Sequence, residues 1–181
     1  MQIVVASNKG GVGKSTLVAS LADVLHADII DHDNQGTLKI TASFTGRNKP
    51  ISPSEISKKI VIHDTPPYNG ADMDGLFSAA DLIIIPSKVK YPDLVALKGI
   101  IERIRSLGLG EKTCIVFNDV RKPHSKTYKE LKELFLQNYT DIKKANTELS
   151  TLVAFTKVFS EPLSGRALEQ IESLRKELSI I

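Results

Sequence analysis

Residues 8–16 read Asn8-Lys9-Gly10-Gly11-Val12-Gly13-Lys14-Ser15-Thr16. Just before them, Gln2 to Ala6 is a short apolar run that predicts a strand, and from about Lys14 to His26 apolar spacing predicts a helix. Glycines between a strand and a helix let the backbone wrap closely and turn its amides toward an anion. The helix adds the positive end of its dipole, Lys14 can reach the outer phosphates of a nucleotide, and Ser15 can ligate Mg²⁺. A simple glycine-rich turn is the bland alternative, and Gly13-Lys14-Ser15 at a strand-to-helix junction speaks against it.

Outward from this loop, short β-rich runs alternate with helical periodicity. Further strands are predicted at Asp28 to Asp31, Ile60 to Asp64, Leu82 to Pro86 and Thr113 to Asn118, each almost continuously apolar as buried parallel strands are. Helices are predicted over Pro92 to Leu107, Lys126 to Gln137 and Gly165 to Leu178, the last with Leu168, Ile171, Leu174 and Leu178 on one face. The fold class is therefore α/β, a single domain over residues 1–181 with a mostly parallel sheet flanked by helices on both faces. The polar segment Thr45 to Lys59, with Pro50 and Pro53, reads as a surface loop within that domain.

Composition bounds the function loosely. The chain has 181 residues, 41% hydrophobic and 25% charged, with a net charge of +3, which permits nucleic acid or an anionic membrane without demanding either. Cys114 is the sole cysteine, so neither an intramolecular disulfide nor a four-cysteine metal site can form. No secretory leader is apparent and the run Leu82 to Pro86 is too short to cross a bilayer, so a cytoplasmic location is expected.

Two further motifs end strands at the edge where ligands of open α/β folds bind. One is Asp31-His32-Asp33-Asn34-Gln35-Gly36; the other is Ile60-Val61-Ile62-His63-Asp64-Thr65-Pro66-Pro67, which delivers a carboxylate and then a stiff double-proline turn. Asp64 suits Mg²⁺ held through water, since that ion keeps part of its hydration shell. A transition-metal site from His32, Asp33, His63 and Asp64 is the weaker reading, because strand alternation turns His63 away from the face that shows Asp64. His63 then serves packing. Asn118 closes its strand with an amide that can meet a purine edge, although asparagine there is also an ordinary turn former.

Lys9-Gly10-Gly11-Val12-Gly13-Lys14-Ser15 resembles the deviant Walker A motif of the ParA/MinD family of P-loop ATPases, with Asn8 where the general P-loop pattern has its first glycine. The resemblance extends from Met1 to about Lys98 and more loosely to the terminal helix, and is nearest to small plasmid-type ParA proteins. It implies ATP and Mg²⁺ as cofactors, bound by Lys9, Gly10, Gly11, Val12, Gly13, Lys14, Ser15 and Thr16, with Asn118 at the adenine. It implies that Lys9 crosses the interface of an ATP-dependent homodimer to touch the partner's phosphates. Such a lysine delivered in trans works as an arginine finger does. Asp33 would orient or activate the attacking water, with Lys9 and Lys14 as the other catalytic residues. Ser15, Asp31 and Asp64 would hold the metal. Asn34 replaces the family's usual proline.

The same resemblance implies a nucleoid-associated partition ATPase. It would bind DNA without sequence specificity and be stimulated by a ParB-like centromere-binding protein. Lys143, Lys144, Lys157, Arg166, Arg175 and Lys176 are the DNA candidates, and the basic loop Arg121-Lys122-Pro123-His124-Ser125-Lys126 is a competing patch or a lid near the nucleotide. A MinD-like membrane module is the alternative, disfavoured because residues 169–178 mix acidic with basic side chains, and no stable membrane insertion is expected. A dethiobiotin-synthetase-like ligase is a third reading, for which the chain has little material to build a substrate pocket. A nitrogenase-iron-protein relationship is excluded, because that protein needs two cluster cysteines per subunit.

Overall fold

The computed structural model describes residues 1–33, 36–67, 73–121 and 123–180. Among these residues six strands form one sheet: β1 (Gln2–Val5), β2 (Asp28–Asp31), β3 (Val61–Asp64), β4 (Leu82–Ser87), β5 (Thr113–Phe117) and β6 (Lys143–Lys144). Their order is β2-β3-β1-β4-β5-β6, and every pairing is parallel. Among the described residues seven α-helices accompany them: α1 (Lys14–Leu25), α2 (Thr37–Thr45), α3 (Asp74–Ala79), α4 (Tyr91–Ser106), α5 (Lys126–Asn138), α6 (Val153–Lys157) and α7 (Gly165–Glu177).

Alternation along buried strands sorts the core into two layers. Ile3, Val5, Ile62, Ile84, Cys114 and Val116 join Leu17, Leu21, Ile171 and Leu174 on the α1/α7 side. Val4, Ala6, Ile83, Ile85, Ile115 and Phe117 join Phe77, Ile100, Ile104 and Phe135 on the α3/α4/α5 side. Cys114 is buried, and that burial pushes its thiol up to about 11, which makes it an inert core residue.

The five predicted strands form within a residue of their expected ends, and so do the four predicted helices. Three helices and one strand escape the sequence pattern for identifiable reasons. In α2, Thr37, Ile40, Thr41 and Thr45 are β-branched, and the helix is entered through left-handed Gly36 with no side-chain cap, so neither propensity nor a capping residue announces it. Helices α3 and α6 have only six and five residues, and β6 only two, too few to carry a period. Downstream of α2, the expected surface loop contains a single 3-10 turn, Pro53–Glu55, whose Ser52 and Glu55 form a capping box. That loop is tied to the edge strand where the Ile51 amide donates to the Ile29 carbonyl at 2.9 Å.

The terminal helix differs from its predicted face in one position. Ala167, Ile171, Leu174 and Leu178 are buried, whereas Leu168 is 37% exposed. The spacing 167, 171, 174, 178 follows the helical period more closely than one that begins at 168. With this face packed beside α1, α7 is an integral part of the core. Leu174→Ala is therefore expected to cost about 2–5 kcal/mol, read as a lower midpoint in urea denaturation with an unchanged slope.

Candidate functional site

The order of strands reverses beside β1, whose neighbours are β3 and β4, and at such a switch point the connections diverge and leave a crevice at the carboxyl edge. The glycine loop fills that crevice. Gly11 and Gly13 have φ of 72° and 95°, in the left-handed region, and a Cβ on Gly13 would lie 2.2 Å from the side chain of Asn118. Gly13 is also the N-cap of α1, and no side chain caps this helix or places a carboxylate in its first turn. Its leading amides and dipole are left for an external anion.

A cavity of about 220 Å³ opens over the loop, walled by Gly10, Gly13, Lys14, Ser15, Thr16 and Asp33, with Thr37, Pro67 and Phe159 closing it. A second cavity of about 240 Å³ shares Gly11, Gly13 and Thr16 and extends toward Asn118, Asp119, Thr151 and Phe155. The pair has the layout of a nucleotide, with phosphates over the loop and the base toward β5. Lys9 lines neither cavity. Its ammonium meets Asp93 at 2.5 Å, on α4.

Register places the carboxylates. Asp31 pairs with Asp64, which pairs in turn with Val5, so the ends of β2, β3 and β1 stand side by side. Asp31, Asp33 and Asp64 are all at most 9% exposed. The Asp33 amide donates to Asp31 Oδ1 at 2.9 Å, which fixes the turn that follows β2. Burial raises the pKa of Asp31 against that hydrogen bond. Asp64 is pushed up to about 7, chiefly by burial and further by Asp31 and Asp33, while a hydrogen bond from Ser15 and the charge of Lys14 pull it down. Lys14 is itself lowered by burial, with Asp64 and Asp33 acting in the opposite direction.

Asp31 Oδ2 and Asp64 Oδ1 are buried without a hydrogen-bond partner. A buried carboxylate oxygen with nothing to accept is costly, and two of them at paired strand ends, with Ser15 hydrogen-bonded to Asp64, fit a hydrated divalent cation. Among the described residues no group of three or more His, Cys, Asp or Glu side chains is placed to hold a metal ion. A site of two carboxylates and one hydroxyl, completed by phosphate and water, is the form Mg²⁺ uses. The histidines take another role: His63 bridges His32 at 2.9 Å and the Gln2 side chain at 2.6 Å, and its pKa is lowered to about 4 by burial and then by His32.

Other sequence-predicted positions are also placed. Asn118 reaches the base cavity, but its Nδ2 donates to the Val12 carbonyl at 2.8 Å and its Oδ1 accepts from the Asp119 amide at 2.8 Å. It fastens the glycine loop to β5 and keeps one lone pair for a base. Asn34 and Gln35 of the second motif and Lys122 of the basic loop lie outside the described residues. The DNA candidates do not form one patch. Lys143 donates to the Glu177 carbonyl near exposed Lys176, Lys144 lies over the Leu136 carbonyl, Lys157 pairs with Glu161, and Arg175 pairs with Glu172. Arg166 instead shares a cleft with Arg121 and His124, contiguous with the base cavity through Ser150, Thr151 and Leu152. Thr37, Phe159, Asp93 and Asp119 were not foreseen, and only their spatial neighbours reveal them.

The raised Asp64 pKa has a consequence for stability. The folded chain keeps its proton up to about pH 7, whereas an unfolded aspartate releases it near 3.8. Stability from this group is present below the unfolded value and is lost as pH rises through the folded one. The ligand-free protein should lose a few degrees of melting temperature between pH 5 and pH 8, and Asp64→Asn should flatten that slope, as differential scanning fluorimetry can measure.

Comparison with known proteins agrees with this geometry. The family model described as the CobQ/CobB/MinD/ParA nucleotide binding domain matches residues 3–160. No curated protein sequence gives a significant match. Among solved structures, the chain is similar to a Borrelia burgdorferi protein assigned to plasmid partition and bound to AMPPNP (TM-score 0.77, 16% identity, covering 98% of this chain and 97% of that one). It is likewise similar to a Cyanothece McdA variant in complex with ATP (0.76, 14%, 99% and 96%) and to the cell division protein MinD of Aquifex aeolicus (0.66, 15%, 99% and 97%). At such identities the structures speak for the fold. With the family model spanning most of its length, the chain belongs to the CobQ/CobB/MinD/ParA family of nucleotide-binding domains.

Proposed function

We propose that this protein is an ATP-dependent dimerising switch of the partition type, which binds ATP and Mg²⁺, associates as a homodimer, holds DNA without sequence specificity and lets go on hydrolysis. The observation that carries this reading is the division of labour between two lysines of one loop. Lys14 lies buried in the phosphate cavity, while Lys9 lies outside it, paired with Asp93 on α4, which supports a separate role for it. The similarity to structures of partition proteins supports the cellular role. A ParB-like centromere-binding protein would be the stimulating partner, and the nucleoid the place of action.

In the chemistry, Lys14 and the first turn of α1 bind the phosphate chain and bring the γ-phosphate toward Asp33. Asp33 accepts a hydrogen bond from the attacking water and orients it. Ser15, Asp31 and Asp64 would hold Mg²⁺, Asp64 through water, and the ion would neutralise charge developing on the phosphoryl oxygens. Lys9 of one protomer would add its charge at the other protomer's phosphates.

For DNA, location narrows the candidates. About ten residues of α7 separate Arg166 from Lys176, roughly 15 Å along the axis. Arg166, Arg121 and His124 adjoin the base cavity, whereas Lys143 pairs in register with Cys114, the second residue of β5, away from the carboxyl edge. A surface controlled by nucleotide should lie near the nucleotide, so the Arg121/Arg166 cleft is the proposed phosphate-contacting surface. A membrane-binding role is less well supported, because the apolar face of α7 is spent on the core. Among the described residues no helix is long and apolar enough to cross a membrane.

Two outcomes are expected. Lys14→Ala should lose nucleotide binding, while Asp33→Ala should bind ATP yet hydrolyse it at least about a hundredfold more slowly. The Asp33→Ala protein should bind random-sequence duplex DNA with ATP and not with ADP, weakening steeply with salt, and Arg121→Ala or Arg166→Ala should each reduce the salt slope by about one. DNA binding indifferent to nucleotide, or ATP-dependent binding to anionic vesicles alone, would defeat this proposal.

A further inference from the structure

Lys9 is engaged inside its own chain. Its Nζ lies 2.5 Å from Asp93 Oδ1, across eighty-four positions of sequence. Asp93 sits in the first turn of α4, three residues after the N-cap Lys90, where a carboxylate is favoured by the helix dipole. The two partners differ in freedom. The Asp93 side chain is only 3% exposed, and its helix is anchored through buried Leu97, Ile100, Ile101 and Ile104; the Lys9 side chain is 37% exposed on a glycine loop. The same helix approaches the loop closely at Gly99, where a Cβ would lie 3.0 Å from the Asn8 side chain. The carboxylate is therefore the fixed member of the pair and the lysine the movable one.

A buried carboxylate stripped of its counter-charge is costly, so Lys9 leaves Asp93 only for an anion that competes well. We infer that Asp93 is a positioning residue that holds Lys9 against α4 in the monomer, and that the phosphates of a second copy's nucleotide must win the lysine from it. The pair thereby sets the threshold for nucleotide-dependent association. A triphosphate, with more charge and greater reach than a diphosphate, competes better, so the same contact favours dimerisation with ATP over ADP. This inference rests on the reading that Lys9 acts in trans.

The test uses sedimentation velocity with AMPPNP and Mg²⁺ over a range of protein concentrations, together with ATP turnover per chain over the same range. Asp93→Asn should tighten the dimer on the order of tenfold, a usual size for coupling between two binding events. Turnover should saturate at a correspondingly lower protein concentration, with the maximal rate and the monomer's affinity for a fluorescent ATP analogue unchanged. ADP should begin to support dimers. Lys9→Ala/Asp93→Asn should behave as Lys9→Ala alone, because the carboxylate acts only through that lysine. Asp93→Ser, with a hydroxyl suited to a first helical turn, repeats the measurement should the asparagine variant melt early. A dimer of unchanged or weaker affinity in both variants, with normal melting, overturns the inference. Normal turnover by Lys9→Ala overturns instead the reading on which it rests.

Discussion

Negative charge gathered at the carboxyl edge of β2 and β3 constrains everything around it. Parallel register leaves Asp31 and Asp64 no choice but adjacency, and the turn after β2 adds Asp33. Three carboxylates at most 9% exposed would not tolerate one another if all were ionised without compensation. Lys14 is the nearest answer and carries a burial penalty of its own. Lys39 adds its charge at Asp31, yet burial above all still raises the pKa of Asp64 and leaves Asp31 Oδ2 and Asp64 Oδ1 without a hydrogen-bond partner. A divalent cation bound with phosphate would give both oxygens a partner. Under the proposed function, some stability of the fold is exchanged here for affinity toward that cation, as is common where local rules are broken at functional sites.

What was legible in the sequence is what is encoded locally. Gly13-Lys14-Ser15 between an apolar run and a helical period defines the loop within nine residues, and buried parallel strands announce themselves because both faces are covered. Asp31 and Asp64 end such strands, so their nearness followed once the strands were assigned. Features that depend on distant segments were not legible. Nothing in residues 91–93 suggests that Asp93 receives Lys9, and nothing around Phe159 suggests that it closes the phosphate cavity. The base contact of Asn118 is an implication of the resemblance alone, and no local pattern announces that its Nδ2 donates to the Val12 carbonyl. The basic residues were legible as a list and not as a surface, because charge clustering is a property of space: Arg166 adjoins Arg121 across α7 and the β5 loop, while Lys143 lies with the far end of α7.

Under the proposed dimer, the two lysines of the loop would let one short motif serve two molecules. Lys14 is the first residue of α1, fixed by the helix and buried among aspartates, so it can act only on what enters its own cavity. Lys9 precedes the glycines, keeps much of its side chain in solvent and faces away from that cavity toward α4. An ammonium on a flexible stem is a compact point charge that can be handed from one anion to another. Because Asp93 belongs to α4 and α4 is packed on the sheet through Leu97, Ile100 and Ile104, the first anion is rigidly part of the monomer. Under the proposed dimer, the catalytic charge would then be supplied by the same event that joins the protomers, and hydrolysis would be tied to assembly by geometry.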